Sequence, residues 1–191
     1  MSLEICGVTK KFGDKLVIDN FSYEFGERGL YIIKGDSGAG KTTLLRMISG
    51  LDSDYEGEIF GGGVGNVALS FQEYRLFHTL TAIDNILMVV DGGDSKCDEV
   101  KKVLSYLNFN EADYVKLPSE LSGVMKQRIS IVRAIFADKP VLLLDEPLKE
   151  LDDELIGKLI ALIKKEAEKR VVIVVTHAYF DRFSEGEIIE L

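Results

Sequence analysis

Tryptophan is absent from this 191-residue chain, proline occurs three times, and cysteine and histidine twice each. Cys6 and Cys97 form no C-x-x-C pair and stand beside no clustered histidines, which argues against a structural zinc site. They read as unpaired thiols of a reducing compartment. An excess of positive charge is also missing. The formal net charge is −9, and the lysine pairs at 10–11, 101–102 and 164–165 are isolated. A nucleic-acid-binding domain shows a basic stripe, and an anionic membrane surface attracts one, so neither partner is expected to be touched directly. No apolar run approaches the ~20 residues that span a bilayer, and the first residues lack the apolar core of a signal peptide. If the protein serves a membrane process, a separate chain must supply the membrane part.

What is present suits one globular domain: 46% hydrophobic and 29% charged residues in a chain long enough to bury a core without disulfides. Short apolar runs at 30–33, 67–71, 141–144 and 171–175 read as buried strands. The last two, Val-Leu-Leu-Leu and Val-Val-Ile-Val-Val, show no alternation, as expected of parallel strands covered on both faces. Helical periodicity follows at about 41–50, 81–90, 98–108, 122–137 and 151–169, with Thr81-Ala82-Ile83-Asp84 as a capping box. Alternating apolar residues in 1–25 predict an antiparallel β subdomain. Residues 79–138 are expected to be almost wholly helical and inserted between two strands. The expected fold is α/β, a single domain over 1–191 with a mostly parallel central sheet and a helical subdomain at about 79–138. Gly61-Gly62-Gly63 with Gly65 marks a turn.

Gly35-Asp36-Ser37-Gly38-Ala39-Gly40-Lys41-Thr42 fits the G-x-x-x-x-G-K-[ST] phosphate-binding loop, followed by Thr43 in the same helical run. A chance match in a chain this long is on the order of one in a hundred, and the strand before and helix after it lower that further. Glycines let the main chain approach an anion closely. Successive N–H groups then point inward, and the helix presents its positive end. Lys41 is expected at the β- and γ-phosphates, and Thr42 on Mg²⁺. Val141–Leu144 ends in Asp145-Glu146-Pro147, two acids at the carboxyl end of a buried strand, the edge where ligands bind in parallel sheets. Asp145 suits a metal contact. Glu146 suits a general base on water, and strand alternation keeps the two from sharing one role.

At this point the chain resembles the nucleotide-binding subunit of an ABC transporter, from Phe12 to His177. Phe71-Gln72-Glu73 is similar to the family's Q-loop. Leu121-Ser122-Gly123-Val124-Met125-Lys126-Gln127-Arg128 resembles its signature motif, Leu151-Asp152 its D-loop, Thr176-His177 its switch histidine, and Phe12 the aromatic that stacks on adenine. The resemblance implies a P-loop ATPase with ATP and Mg²⁺ as cofactors. Thr42, Gln72 and Asp145 would serve the metal, and Glu146, His177, Gln72 and Lys41 catalysis. Residues 35–43 and Phe12 would hold the nucleotide. It also implies a homodimer or cassette heterodimer in the ATP-bound state, with Ser122 and Gly123 reaching the opposing nucleotide. A transmembrane permease subunit would hold the protein on the inner face of the cell membrane, coupled through Gln72 and the residues Tyr74, Leu76 and Phe77. Phe71–Leu76 and Met125–Arg128 are similar to the same segments in importer cassettes of the nitrate, sulfonate and taurine type.

Two departures matter. Val124 stands where the pattern has glycine, which is expected to crowd the opposing phosphate and slow turnover. Ala178 follows His177 where aspartate is common. A cassette that binds ATP with little turnover, and a nucleic-acid-associated ABC ATPase, are the alternatives. The acidic charge and the missing coiled-coil insertion argue against the second.

Overall fold

The unalternating apolar runs become the middle of a parallel sheet. A computed structural model describes residues 2–177, 179–183 and 185–191. Strands β1 (Glu4–Phe12) and β2 (Lys15–Glu24) pair antiparallel, then β3 (Gly29–Lys34) leads into helix α1 (Lys41–Ile48). Strands β4 (Glu56–Phe60) and β5 (Val67–Ser70) follow. Helices α2 (Asp84–Leu87), α3 (Cys97–Tyr106), α4 (Glu111–Tyr114) and α5 (Gly123–Phe136) come next. The chain continues through β6 (Val141–Asp145), α6 (Asp153–Ala167), β7 (Val171–Val175) and β8 (Glu187–Glu190). One sheet is antiparallel, in the order β2-β1-β4, and the five-stranded sheet β5-β6-β7-β3-β8 is parallel throughout.

Burial on both faces explains the missing alternation. Successive residues of β3, β6 and β7 enter different cores. Leu30, Ile32, Leu142, Leu144, Val172 and Val174 face one, with Ile131 of α5 and Leu155, Leu159 and Ile163 of α6. Tyr31, Ile33, Leu143, Ile173 and Val175 face the other, with Leu44, Leu45 and Ile48 of α1 and Leu3, Ile5, Val8 and Ile18 of the antiparallel sheet. Two edge features carry no clear sequence signal. Strand β4 is largely exposed and is held by pairing to β1. Strand β8 pairs parallel to β3, and Leu191 N–H extends that ladder to the Lys34 carbonyl at 3.0 Å.

The segment 79–138 departs from the wholly helical expectation. Its core is continuous, joining Ile86, Val100, Leu104, Leu107, Phe109 and Ile129, but the elements are short. Of the capping box expected at 81–84 one half forms: Thr81 Oγ1 accepts the Asp84 N–H at 3.3 Å, while the Thr81 hydroxyl, not its N–H, donates to the Asp84 carboxylate at 2.5 Å. Only Asp84–Leu87 is regular: the chain then tightens, with Val89 N–H bonding the Ile86 carbonyl and Val90 N–H the Leu87 carbonyl, both at 3.1 Å, before Gly92 and Gly93 at positive φ (93° and 50°) turn it. Long helices α5 and α6 match their periodicity. Asp152 caps α6 by accepting the Leu155 N–H at 2.9 Å. Among the described residues no helix is long and apolar enough to cross a membrane.

Asn85 organises the chain between β5 and α2. Its side chain is fully buried. It accepts the Phe77 N–H at 2.8 Å and shares its amide hydrogens among the carbonyls of Phe77, Leu80 and Thr81 at 3.0–3.1 Å. Removing that amide leaves buried backbone groups unpaired, each at about 1–3 kcal/mol. Asn85→Ala is therefore expected to lower stability by about 2 kcal/mol or more in urea unfolding and to speed amide exchange at Phe77.

Candidate active site

Register places the carboxyl ends of four strands along one edge. Ile33 lies beside Val175, Val175 beside Asp145, and Leu144 beside Ser70. A cleft of about 770 Å³ opens there. Gly35, Asp36, Ser37, Gly38, Gly40, Lys41, Thr42 and Thr43 line one side, and Gln72, Asp145, Glu146 and His177 the strand ends. Phe12, Lys15 and Val17 close the third side. Ala39 belongs to the loop without lining the cleft. Its N–H closes a turn to the Asp36 carbonyl at 3.1 Å.

The loop after β3 has the backbone that a phosphate cradle needs. Gly38 and Gly40 take φ of 86° and 97°. A Cβ on Gly40 would come within 2.8 Å of Val17 Cγ1, so only glycine fits. Lys41 is buried, and its Nζ donates to the carbonyls of Gly35 (2.7 Å) and Asp36 (2.8 Å). Its charge is thereby pinned under the loop, at the start of α1.

Thr42 Oγ1 donates to Asp145 Oδ2 at 2.8 Å. The other oxygen, Oδ1, is buried without a hydrogen-bond partner. Burial pushes the Asp145 pKa up and the charge of Glu146 adds to it, while the Thr42 bond and Lys41 act the other way. An orphaned carboxylate oxygen beside a hydroxyl is the donor set of a hard cation. Among the described residues no group of three or more His, Cys, Asp or Glu could hold a metal by itself. The pair therefore fits an ion such as Mg²⁺ that arrives with further oxygen ligands of its own.

Glu146 leaves the strand in a left-handed conformation, φ 50°. Its N–H bonds the Val175 carbonyl at 2.9 Å. Its carbonyl, with that of Pro147, accepts from Gln127 Nε2 of α5, both at 3.2 Å. This twist parts the two acids: Asp145 meets Thr42, whereas Glu146 Oε1 meets His177 Nδ1 at 2.7 Å. The carboxylate is 12% exposed and the imidazole 62%. A non-glycine residue held at positive φ stores backbone strain, and the Gln127 clamp helps to hold it.

The remaining expected residues fall in two groups. Phe12 is 53% exposed, with the Lys10 ammonium 4.8 Å from its ring centre, so it is a platform at the cleft rather than a core aromatic. Gln72 is exposed and lines both the cleft and a smaller cavity with Glu73, Tyr74 and Gln127. Ser122 and Gly123 are exposed and lie outside the cleft. Ser122 caps α5, its Oγ accepting the Met125 N–H at 3.2 Å, which leaves its own hydroxyl proton free to point outward.

Val124, expected to crowd an opposing phosphate, meets the core of its own chain. Its side chain is half-buried against the core under α5 and α6, because the second position of the helix faces inward. Of the three residues expected to meet a membrane partner, Phe77 is 51% exposed and Tyr74 half-buried, but Leu76 is 7% exposed and belongs to the helical core. Ala178 lies outside the described residues. Sequence reasoning missed Lys15 and Val17, whose strand pattern signals only pairing, and assigned no role to Gln127.

Comparison with known proteins agrees with this arrangement. Residues 18–149 match the family model described as ABC transporter. The aliphatic sulfonates import ATP-binding protein SsuB of Bacillus cereus is 36% identical, over 93% of this chain and 75% of its own length. The sulfate/thiosulfate import ATP-binding protein CysA of Pectobacterium atrosepticum is also 36% identical, over 80% of this chain. The spermidine/putrescine import ATP-binding protein PotA of Nitrosospira multiformis is 36% identical over 92% of it. The chain spans about half the length of these last two relatives, 51% and 52%. The dimeric structure of a bacterial ABC transporter cassette superposes with a TM-score of 0.87 at 28% identity, covering 99% of this chain and 94% of that one. A post-hydrolysis state of that cassette bound to ADP and Pi gives 0.84 at 28% identity, with the same coverage. The chain belongs to the ABC transporter family, as an ATP-binding cassette with the P-loop fold.

Asp145 carries a signed expectation. A carboxylate with a raised folded pKa favours the fold below its unfolded value and loses that contribution as pH rises through the folded one. At neutral pH the ionised group is therefore a cost that a cation relieves. Asp145→Asn is expected to raise the melting temperature without metal or nucleotide. It should flatten the fall in stability between the unfolded and the folded Asp145 pKa and shrink the further rise on adding Mg²⁺ with nucleotide. Thermal melts from pH 4 to 8 check all three.

Proposed function

We propose that the chain is an ATP-hydrolysing subunit that energises a separate transmembrane permease from the inner face of the membrane. Two cassettes, identical or different, would close head to tail on two ATP molecules. The observation that carries the reading is the single cleft uniting a pinned lysine, a threonine–aspartate pair with an orphan oxygen, and a glutamate in contact with a histidine. The import relatives support an importer role. The solutes in their names range from sulfonates to polyamines, which fits a cassette that powers transport while its partner chooses the cargo.

In this reading Phe12 stacks on the base, and the N–H groups of residues 37–43 hold the phosphate chain. Lys41 places its charge against the β- and γ-phosphates. Thr42 and Asp145 hold Mg²⁺, with Gln72 beside it; the bound ion offsets charge on the phosphate oxygens. Glu146 accepts a proton from water as the water oxygen bonds to the γ-phosphorus and the bond to the β–γ bridging oxygen breaks. His177, with its proton on Nδ1, fixes the carboxylate and turns Nε2 toward the cleft. Ser122 and Gly123 would donate to the γ-phosphate of the opposing subunit, at the positive end of α5. Residues 79–138 would form the moving subdomain of a single-domain cassette, and exposed Phe77 would meet the permease.

Calorimetry and ATPase assays test the assignment. Lys41→Ala should lose measurable Mg-ATP binding. Glu146→Gln should bind ATP normally, hydrolyse it ~10²–10⁴-fold more slowly, and run as a dimer on gel filtration with ATP. Wild-type hydrolysis by Glu146→Gln would assign the base elsewhere.

Val124 bears on the low-turnover alternative. Because its side chain packs inward, Val124→Gly should cost about 0.8–1.5 kcal/mol of stability, roughly half the worth of a fully buried valine. Its turnover should not exceed that of the wild type. A several-fold faster variant would restore the view that Val124 impairs the site.

A further inference from the structure

Gly123 has a neighbour in its own chain. A Cβ built on it would lie 3.1 Å from the Tyr74 hydroxyl and 3.9 Å from the ring carbon bearing that hydroxyl. Tyr74 stands two residues beyond Gln72, so its position follows that of a cleft-lining residue. Its half-buried ring packs against the helical core together with Met125, and its carbonyl accepts from Arg133, further along α5, at 3.3 Å. One residue thus sets its hydroxyl beside the start of α5 and is bonded farther along the helix through its main chain.

From this arrangement we infer that Tyr74 is a positioning residue: its hydroxyl carries the state of the Gln72 segment to the amino-terminal turn of α5, and so sets where Ser122 and Gly123 present their donors. The inference rests on the function proposed above. It adds that glycine is favoured over alanine at 123 by a neighbour within its own subunit, and not only by an approaching nucleotide. The backbone agrees, since Gly123 is an ordinary helical residue and is not among the positive-φ glycines. Alanine would be tolerated there by conformation and opposed by the hydroxyl. A phenylalanine at position 74 would leave the ring at ordinary contact distance from an added methyl group.

The two residues should therefore show opposed effects. In the wild-type background, Tyr74→Phe breaks the contact and should lower kcat about two- to tenfold, with KM for ATP and monomeric ATP affinity unchanged. Gly123→Ala should lower kcat more. In the Gly123→Ala background the same Tyr74→Phe change should raise kcat at least about threefold, the scale of coupling between touching side chains. The ATP-driven dimer formed in a Glu146→Gln background should recover in parallel. A double variant whose loss is the product of the single losses would overturn the inference, because it would place the whole requirement for Gly123 in the opposing nucleotide. A Gly123→Ala protein as active as wild type would overturn it too. Both outcomes presuppose a wild-type protein that hydrolyses ATP. Failure of that control would count against the proposed function instead. Backbone tolerance at both positions keeps the variants folded, and thermal melts of all four proteins confirm it.

Discussion

The burial of β3, β6 and β7 on both faces is the constraint on which the rest depends. A parallel strand sandwiched between two cores releases its loops only at its ends, and all five parallel strands end on the same side. Four of those ends carry the residues of the cleft. The register of β6, β7 and β3 brings Asp145, Val175 and Ile33 into one row. The loop of Gly35–Gly40 and the acids of 145–146 thus become neighbours although more than a hundred residues separate Thr42 from Asp145, |i−j| being 103.

Once neighbours, the charged groups are sorted by burial and by local backbone. Lys41 is held by two carbonyls rather than by a carboxylate, so its charge remains available to an anion. Asp145 is the reverse case, a buried carboxylate whose single protein partner leaves one oxygen unmatched. In low-dielectric surroundings an unmatched charge is costly, and a bound cation is its natural relief. Glu146 differs from its neighbour by one residue and by a left-handed φ, which aims it at His177. The strain of that conformation is met by three main-chain contacts, one from β7 and two from Gln127 of α5.

Helix α5 therefore serves both halves of the molecule. Its amino-terminal turn is exposed and capped by Ser122. Its middle packs on the sheet through Ile131 and on the helical cluster through Ile129 and Val132. Gln127 reaches the Glu146 carbonyl, and the Tyr74 hydroxyl lies beside the helix start at Gly123. A rigid element with contacts at both the catalytic acid and the exposed donor face can relate the two without a flexible linker.

The sequence by itself determined the strand–loop–helix of residues 30–48, the unalternating strands at 141–145 and 171–175, and the long helices α5 and α6. Each is set by local periodicity, glycine placement and capping chemistry, which need no distant partner. Most residues lining the cleft were legible for the same reason, because phosphate chemistry demands particular side chains at fixed spacing. Tertiary structure alone decided the edge strands β4 and β8, which are mostly exposed and are placed by pairing together with one inward isoleucine each, Ile59 and Ile189. It also decided that α2 stops at Leu87, that Leu76 turns inward, and that Val124 packs against the core. Which way a side chain faces at a helix start depends on the helix's rotation against its neighbours. That rotation is fixed by contacts between segments far apart in the chain, which no local pattern encodes.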